Sequence, residues 1–285
     1  MPPVRIVDSH VHLWDPTRFR MPWLDGNAVL ERSYGLTDFR AQADGLAVEA
    51  IVYLQVEVAP SYALLEAQWV ASLPPQGPPI RGIVAWAPLE YGERARAFLD
   101  AAVAVDSRVV GIRRLYQDEP DPDFCLRPDF IRGVQLLPEY GLSCDLGLRQ
   151  HQLRNTIGLV RACPEVSFVL DHLGKPDIER HRLDPWRDEI RELAAFPNVL
   201  CKLSGMATEA DRERWTTADL VPFAEHVFDT FGEDRVMFGG DWPVVLMASS
   251  YRRWVETVDE LVRGLSAEAQ RKLWRENACR FYRLR

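Results

Sequence analysis

Apolar positions along this 285-residue chain fall into two alternating kinds of segment. Short β-branched runs recur at 4–10, 50–57, 80–87, 109–115, 142–148, 166–171, 199–203 and 235–239. Several are nearly continuous in apolar character, the pattern of strands buried on both faces of a parallel sheet. The stretches between them carry helical spacing. Ser61 is placed to cap a helix with Leu64, Leu65, Trp69 and Val70 on its inner face. Phe98, Ala102 and Val105 share a face of the Ala- and Arg-rich segment 93–105. Pro128 opens a further helix at its first turn, and Asp184-Pro185-Trp186 opens another in the same way. Ser266 caps a terminal helix whose stripe is Leu273, Trp274, Ala278 and Phe281. Eight strand-then-helix units predict an α/β fold, a single-domain (β/α)8 TIM barrel spanning 1–285. A doubly wound open sheet is the alternative, but no G-x-G-x-x-G follows the first strand. Nothing reads as an interdomain linker: 74–79 is a stiff, proline-rich helix-to-strand turn. The stretch 16–34 exceeds what a strand-to-helix connection needs, which suits a pocket wall.

Charge narrows the partners. Lys and Arg number 34 against 42 Asp and Glu, a net of −8 with a pI near 5.4. This argues against nucleic acid and against an anionic membrane face, both of which call for basic clusters. The values of 47% hydrophobic and 27% charged are those of a globular chain, which excludes global disorder. Five cysteines without a C-x-x-C pair point to reduced, buried thiols and a cytoplasmic setting. The start at Met-Pro-Pro leads into a strand without an apolar signal core, and no run approaches the ~18 apolar residues of a membrane span. Oligomeric state, a homo-oligomer included, stays open.

In a barrel of this kind the chemistry gathers at the C-terminal strand ends. The first strand ends Asp8-Ser9-His10-Val11-His12-Leu13-Trp14, and period-2 alternation puts His10 and His12 on one face. The sixth ends Asp171-His172-Leu173-Gly174-Lys175-Pro176, and the eighth Phe238-Gly239-Gly240-Asp241-Trp242-Pro243. Plainer roles exist: His172 and Asp171 as loop caps, Asp241 as a helix cap. Pro243, Val244 and Val245 separate Asp241 from any helix, and the histidines converge, so we expect Asp241, His10, His12 and His172 to be catalytic. His10, His12 and Asp241 also form a candidate divalent site, zinc by ligand type. Of Arg113 and Arg114 alternation sends one inward. Arg113 is the choice for substrate binding, an ion pair with a helix carboxylate being its ordinary alternative. His151, Gln55 (with Glu57 on the same face), Trp14 and Trp242 complete the substrate-binding candidates, and Trp23 flanks the same rim. His181 and His226 read as surface residues.

His10, His12, His172 and Asp241 taken together resemble the amidohydrolase superfamily, with H-x-H on the first barrel strand and an aspartate on the eighth. The motifs Asp-Ser-His-Val-His-Leu-Trp, Asp-His-Leu-Gly-Lys-Pro and Phe-Gly-Gly-Asp-Trp-Pro are similar to those of its amidohydrolase-2 branch, and the likeness runs the whole chain. That branch implies sugar-lactone hydrolysis, of the L-fuconolactonase or L-rhamnonolactonase type. The binuclear members' carboxylated lysine is missing, since 109–116 holds no lysine and Lys202 lies on the seventh strand. The resemblance thus implies no obligatory cofactor, with a divalent metal able to occupy the site. Asp241 would be general base on a water attacking the lactone. His10, His12 and Arg113 would polarise the carbonyl, and His172 would orient the water or protonate the alkoxide. Two rivals stand: a metal-dependent decarboxylase of an aromatic acid, and a non-catalytic barrel that binds a sugar acid.

Overall fold

The computed structural model describes residues 5–284, so Val4 and the two chain ends lie outside the described residues. Eight strands form one parallel sheet in sequence order: β1 (Ile6–Val11), β2 (Val48–Leu54), β3 (Ile80–Ala85), β4 (Val109–Ile112), β5 (Ser143–Leu146), β6 (Phe168–Leu170), β7 (Val199–Leu203) and β8 (Val236–Phe238). The sheet curls so that β8 meets β1. A single bridge pairs Val11 with Trp242, and Ser9 Oγ donates to the Phe238 carbonyl at 2.6 Å. The His12 amide donates to the Trp242 carbonyl at 2.7 Å and the Asp241 amide to that of His10 at 2.8 Å. The (β/α)8 barrel expected from the strand pattern is therefore the fold.

The barrel's interior floor is a small apolar layer. Val7, Ala50, Val52, Leu54, Val84, Val169 and Met237 point inward from the strands. Ala278, Phe281 and Tyr282 of the C-terminal helical segment close it from below. The larger core lies between sheet and helices. Ser266 caps the terminal segment as expected, its Oγ accepting from the Ala269 amide at 3.1 Å, and a π turn at Lys272–Glu276 interrupts it. All five cysteines are free, four buried and Cys279 half-buried.

Two helical faces differ from expectation. The segment after β2 starts with a 3-10 turn at Pro60–Tyr62, so the helix begins at Ala63 without a cap from Ser61. Its buried face is Ala63, Glu66, Ala67 and Val70, while Leu64 and Leu65 face solvent. The cause is a polar residue with built partners: Glu66 Oε1 accepts from Tyr53 Oη and from the Val56 amide, both at 2.7 Å. In Arg96–Val105 the inward residues are Leu99 and Ala102, and Phe98 lies outside against Tyr91, ring centroids 5.9 Å apart.

Candidate active site

β1 leaves its regular register with β2 between Asp8 and Val11, and from there His10 and His12 both turn inward. Asp8 holds this bend: it accepts from the His10 and Gly240 amides at 3.0 and 2.8 Å and from Tyr251 Oη at 2.8 Å. Burial outweighs those donors and raises its pKa to about 7.

Four side chains converge above the floor. His10 Nε2 and His12 Nε2 are 3.1 Å apart. Asp241 Oδ1 stands 3.5 Å from His12 Nε2, 3.7 Å from His10 Nε2 and 3.8 Å from His172 Nε2. His172 Nδ1 shares a 2.8 Å hydrogen bond with Ser204 Oγ. Burial raises the cost of charge throughout. It depresses all three histidines, His172 to about 4, so their rings are neutral near pH 7. Burial alone would raise Asp241, but His172, His12 and His10, charged once the pH is low enough to protonate them, outweigh it and hold the carboxyl well below its usual range. An ionised carboxylate among neutral imidazoles is a proton acceptor.

The tautomers follow from partners. His12 Nδ1 lies 2.9 Å from the Leu54 carbonyl, which can only accept, so His12 Nε2 carries the lone pair. Neutral His12 therefore cannot donate to an oxyanion, a correction to the role expected of it from sequence. Its lone pair and Asp241 Oδ1 fit a cation, as does His10 when its own lone pair sits on Nε2. Nitrogen and carboxylate donors within 4.8 Å of one another suit zinc.

Beneath these groups runs a second layer of paired ionisable side chains. Arg113 NH1 donates to Asp171 Oδ2 at 3.0 Å and lies 3.3 Å from His10 Nε2, and NH2 donates to the Gln55 carbonyl. Lys202 Nζ contacts Asp145 Oδ2 at 2.6 Å and Asp171 Oδ1 at 2.9 Å. Burial would raise Asp171, but Lys202, His10 and Arg113 hold it well below the ordinary carboxylate range. Arg114 instead pairs with Glu90 and Glu119, so Arg113 is the inward arginine, and its carboxylate partner comes from the end of β6, not from a helix.

A cavity of about 790 Å³ opens over this floor. His12, Arg113, Asp171, His172 and Asp241 form its base. Trp14, Pro22, Trp23, Leu30 and Met247 make an apolar wall, much of it from the long 16–34 connection. Gln117, Arg149, Lys175, Glu209 and Arg212 make a polar one. His10 is sealed behind the base with no exposed surface. Of the positive-φ residues other than glycine, Glu57, His172, Lys175 and Asp241 line this cavity, so backbone strain is concentrated where side chains are aimed. Space is also exact at Gly205: a Cβ there would stand 2.6 Å from His172 Nδ1.

Three substrate-binding candidates stand elsewhere. Trp242 is fully buried against Tyr34 and Phe39, because its carbonyl serves the β8–β1 seam and its ring faces the helical layer. Gln55 is buried too, its Nε2 donating to the Arg113 carbonyl at 3.3 Å and to Glu57 Oε1 at 3.2 Å, so it braces Arg113 from outside the cavity. His151 is exposed on a 3-10 turn at Gln150–Gln152 and borders a neighbouring outer cavity. Trp14 does line the cavity, fixed by its Nε1 donating to the Leu30 and Arg32 carbonyls. His181 is exposed as expected, while His226 is half-buried with Nε2 2.8 Å from the Arg187 carbonyl. Sequence reasoning missed Asp171, Lys202, Asp145, Lys175 and Glu209. Its one usable signal was Lys202 itself, an ionisable residue inside the apolar strand Val199–Leu203.

Comparison with known proteins finds relatives along nearly the whole chain. The amidohydrolase family profile matches residues 7–284. An L-fucono-1,5-lactonase of Burkholderia multivorans is 32% identical, over 98% of this chain and 96% of its own. An L-rhamnono-gamma-lactonase of Scheffersomyces stipitis is 23% identical, over 98% and 99%. A crystal structure of an amidohydrolase from Burkholderia multivorans with bound zinc superposes with a TM-score of 0.84 at 31% identity, over 99% of this chain and 100% of that one.

Proposed function

The chain belongs to the amidohydrolase family, and from that footing we propose that it is a lactonase opening a small sugar lactone to its aldonic acid. The observation that carries the reading is Asp241: an ionised carboxylate at the base of a cavity whose other groups are neutral imidazoles and a buried arginine. Asp241 takes a proton from water as the water oxygen bonds to the lactone carbonyl carbon. The ring C–O bond then breaks, and the proton held by Asp241 passes to the departing alkoxide. His172, neutral at pH 7, orients the water and does not supply that proton. Arg113 faces the developing oxyanion. It lines the cavity, and its buried Nε has no hydrogen-bond partner among the described residues. A zinc ion held by His10, His12 and Asp241 would supply a Lewis acid for the carbonyl. The polar wall suits a polyhydroxylated substrate, with the lactones of six-carbon deoxy sugars as first choice.

The test is a panel of 1,4- and 1,5-aldonolactones followed with a pH indicator. One proton per lactone opened and no carbon dioxide is the expected result, with Asp241→Asn lowering kcat by about 10²–10⁴-fold while folding is retained. An enzyme that opens none of the panel, or that releases carbon dioxide from aromatic acids, overturns the reading.

A further inference from the structure

His10 has two ways to satisfy its ring, and they differ in what they offer the cavity. With the proton on Nε2, it donates to His12 Nε2 at 3.1 Å while Nδ1 accepts from Lys202 Nζ at 3.3 Å. With the proton on Nδ1, it faces Asp171 Oδ1 at 3.4 Å, and Nε2 accepts from Arg113 NH1 at 3.3 Å. The first arrangement uses two hydrogen bonds and sets Nε2–H against Arg113 NH1, donor to donor, whereas the second uses one and sets Nδ1–H against Lys202 Nζ. The approach to Asp171 Oδ1 in the second lacks hydrogen-bond geometry. Only the second puts a lone pair on Nε2 of both rings, which is the form a cation can take by displacing the Arg113 contact to His10. One proton moves across the ring between the two forms, and none is gained or lost.

We propose that Lys202 is a positioning residue that sets which nitrogen of His10 carries the proton, and that it is held to this task from the barrel floor by Asp145 and Tyr282. Lys202 is sealed from solvent and does not line the cavity, so it acts through His10 and not on substrate. Its ammonium is the donor that makes an unprotonated Nδ1 favourable, and hence the form that needs no metal. Its location is built from below: Asp145 Oδ2 accepts from Lys202 at 2.6 Å and from Tyr282 Oη at 2.5 Å, and the Tyr282 ring lies 5.5 Å from Nζ. Tyr282 belongs to the C-terminal segment that plugs the floor. A residue at the far end of the sequence thereby reaches the first strand's histidine through three contacts.

The experiment uses the full chain, 15N-labelled at histidine and treated with chelator. In the wild type we expect the His10 Nε2 resonance at the protonated position and Nδ1 at the unprotonated one. Lys202→Met combined with Asp145→Asn removes one buried charge of each sign and is expected to exchange the two. Tyr282→Phe removes a single hydroxyl and is expected to move both resonances part of the way. It decides the matter if the double variant does not fold. In the kinetic arm, which rests on the lactonase reading, the chelated double variant should lose at least tenfold in kcat with KM within twofold, and zinc should restore it. His10 resonances that stay at wild-type positions in both variants overturn the proposal, whatever the kinetics. A wild type that opens no lactone overturns the lactonase reading alone, because the resonances still report on Lys202.

Discussion

Asp241, His172 and Glu66 show how far a single residue's surroundings decide what it does. His172 has no room to shift, since a methyl at Gly205 would fall 2.6 Å from Nδ1 and 2.7 Å from Cγ. Gly205→Ala should therefore lower kcat at least tenfold if His172 orients the water as proposed, and, because Gly205 has φ 65°, it should lower the melting temperature as well. Unchanged kcat would show that the ring is not needed where it stands. Glu66 tests the electrostatics. Burial drives its pKa up to about 7, against the hydrogen bonds from Tyr53 and Val56. A carboxyl that binds its proton more tightly when folded contributes stability below the unfolded value near 4.5, and that contribution fades as pH rises through 7. About 3 kcal/mol separates the two limits. Denaturant unfolding of wild type and Glu66→Gln at pH 5 and pH 8 should show the wild type losing about that much relative to the variant, and parallel losses would mean Glu66 is ionised throughout. The roles of Gly205 and Glu66 were not legible in sequence: a glutamate four positions from Tyr62 gives no sign of which side of the helix it takes.

At the scale of elements, strand positions were readable and strand ends were not. The runs ending at Glu57 and Leu115 overshoot β2 and β4: the Gln55 and Arg113 amides still donate to β3, and beyond them Val56, Glu57 and Leu115 line the cavity. Apolar character continues through these segments while the hydrogen bonding changes, so pattern alone cannot mark the boundary. The helix at Ala63–Ala71 kept Val70 of its predicted face inward and turned Leu64 and Leu65 outward for a related reason: two leucines in a row fit either face, and the buried glutamate chose. The long connection 16–34 is where the pocket reading held. Trp23 lines the cavity while 41% exposed, anchored by Nε1 donating to the Val56 carbonyl at 2.7 Å. Trp23→Ala should raise KM about fivefold, the worth of roughly 1 kcal/mol of aromatic contact, and leave kcat within twofold. Steady-state kinetics on the best lactone measures both, and a fall in kcat alone would place Trp23 in the chemistry.

For the whole molecule, the fold was legible because eight buried strands repeat one signal, and one failed boundary does not alter the count. The site was legible only where it is written locally, in His10, His12, His172 and Asp241. The ionisable layer beneath them joins Arg113 of one strand end to Asp171 of another, and Lys202 to Asp145, pairs distant in sequence that only the closed sheet brings together. That closure has a consequence for how activity is lost. The joint between β8 and β1 is made by few bonds, one of them spanning 229 positions, and two of the others lie on the backbones of His10, His12 and Asp241. A chain whose ring has sprung at that joint has separated Asp241 from His10 and His12. On the lactonase reading, such a chain should lose activity before it is visibly denatured. The amide protons of His12 and Asp241 are the place to watch that joint open by hydrogen exchange, and their exchange should quicken before global unfolding.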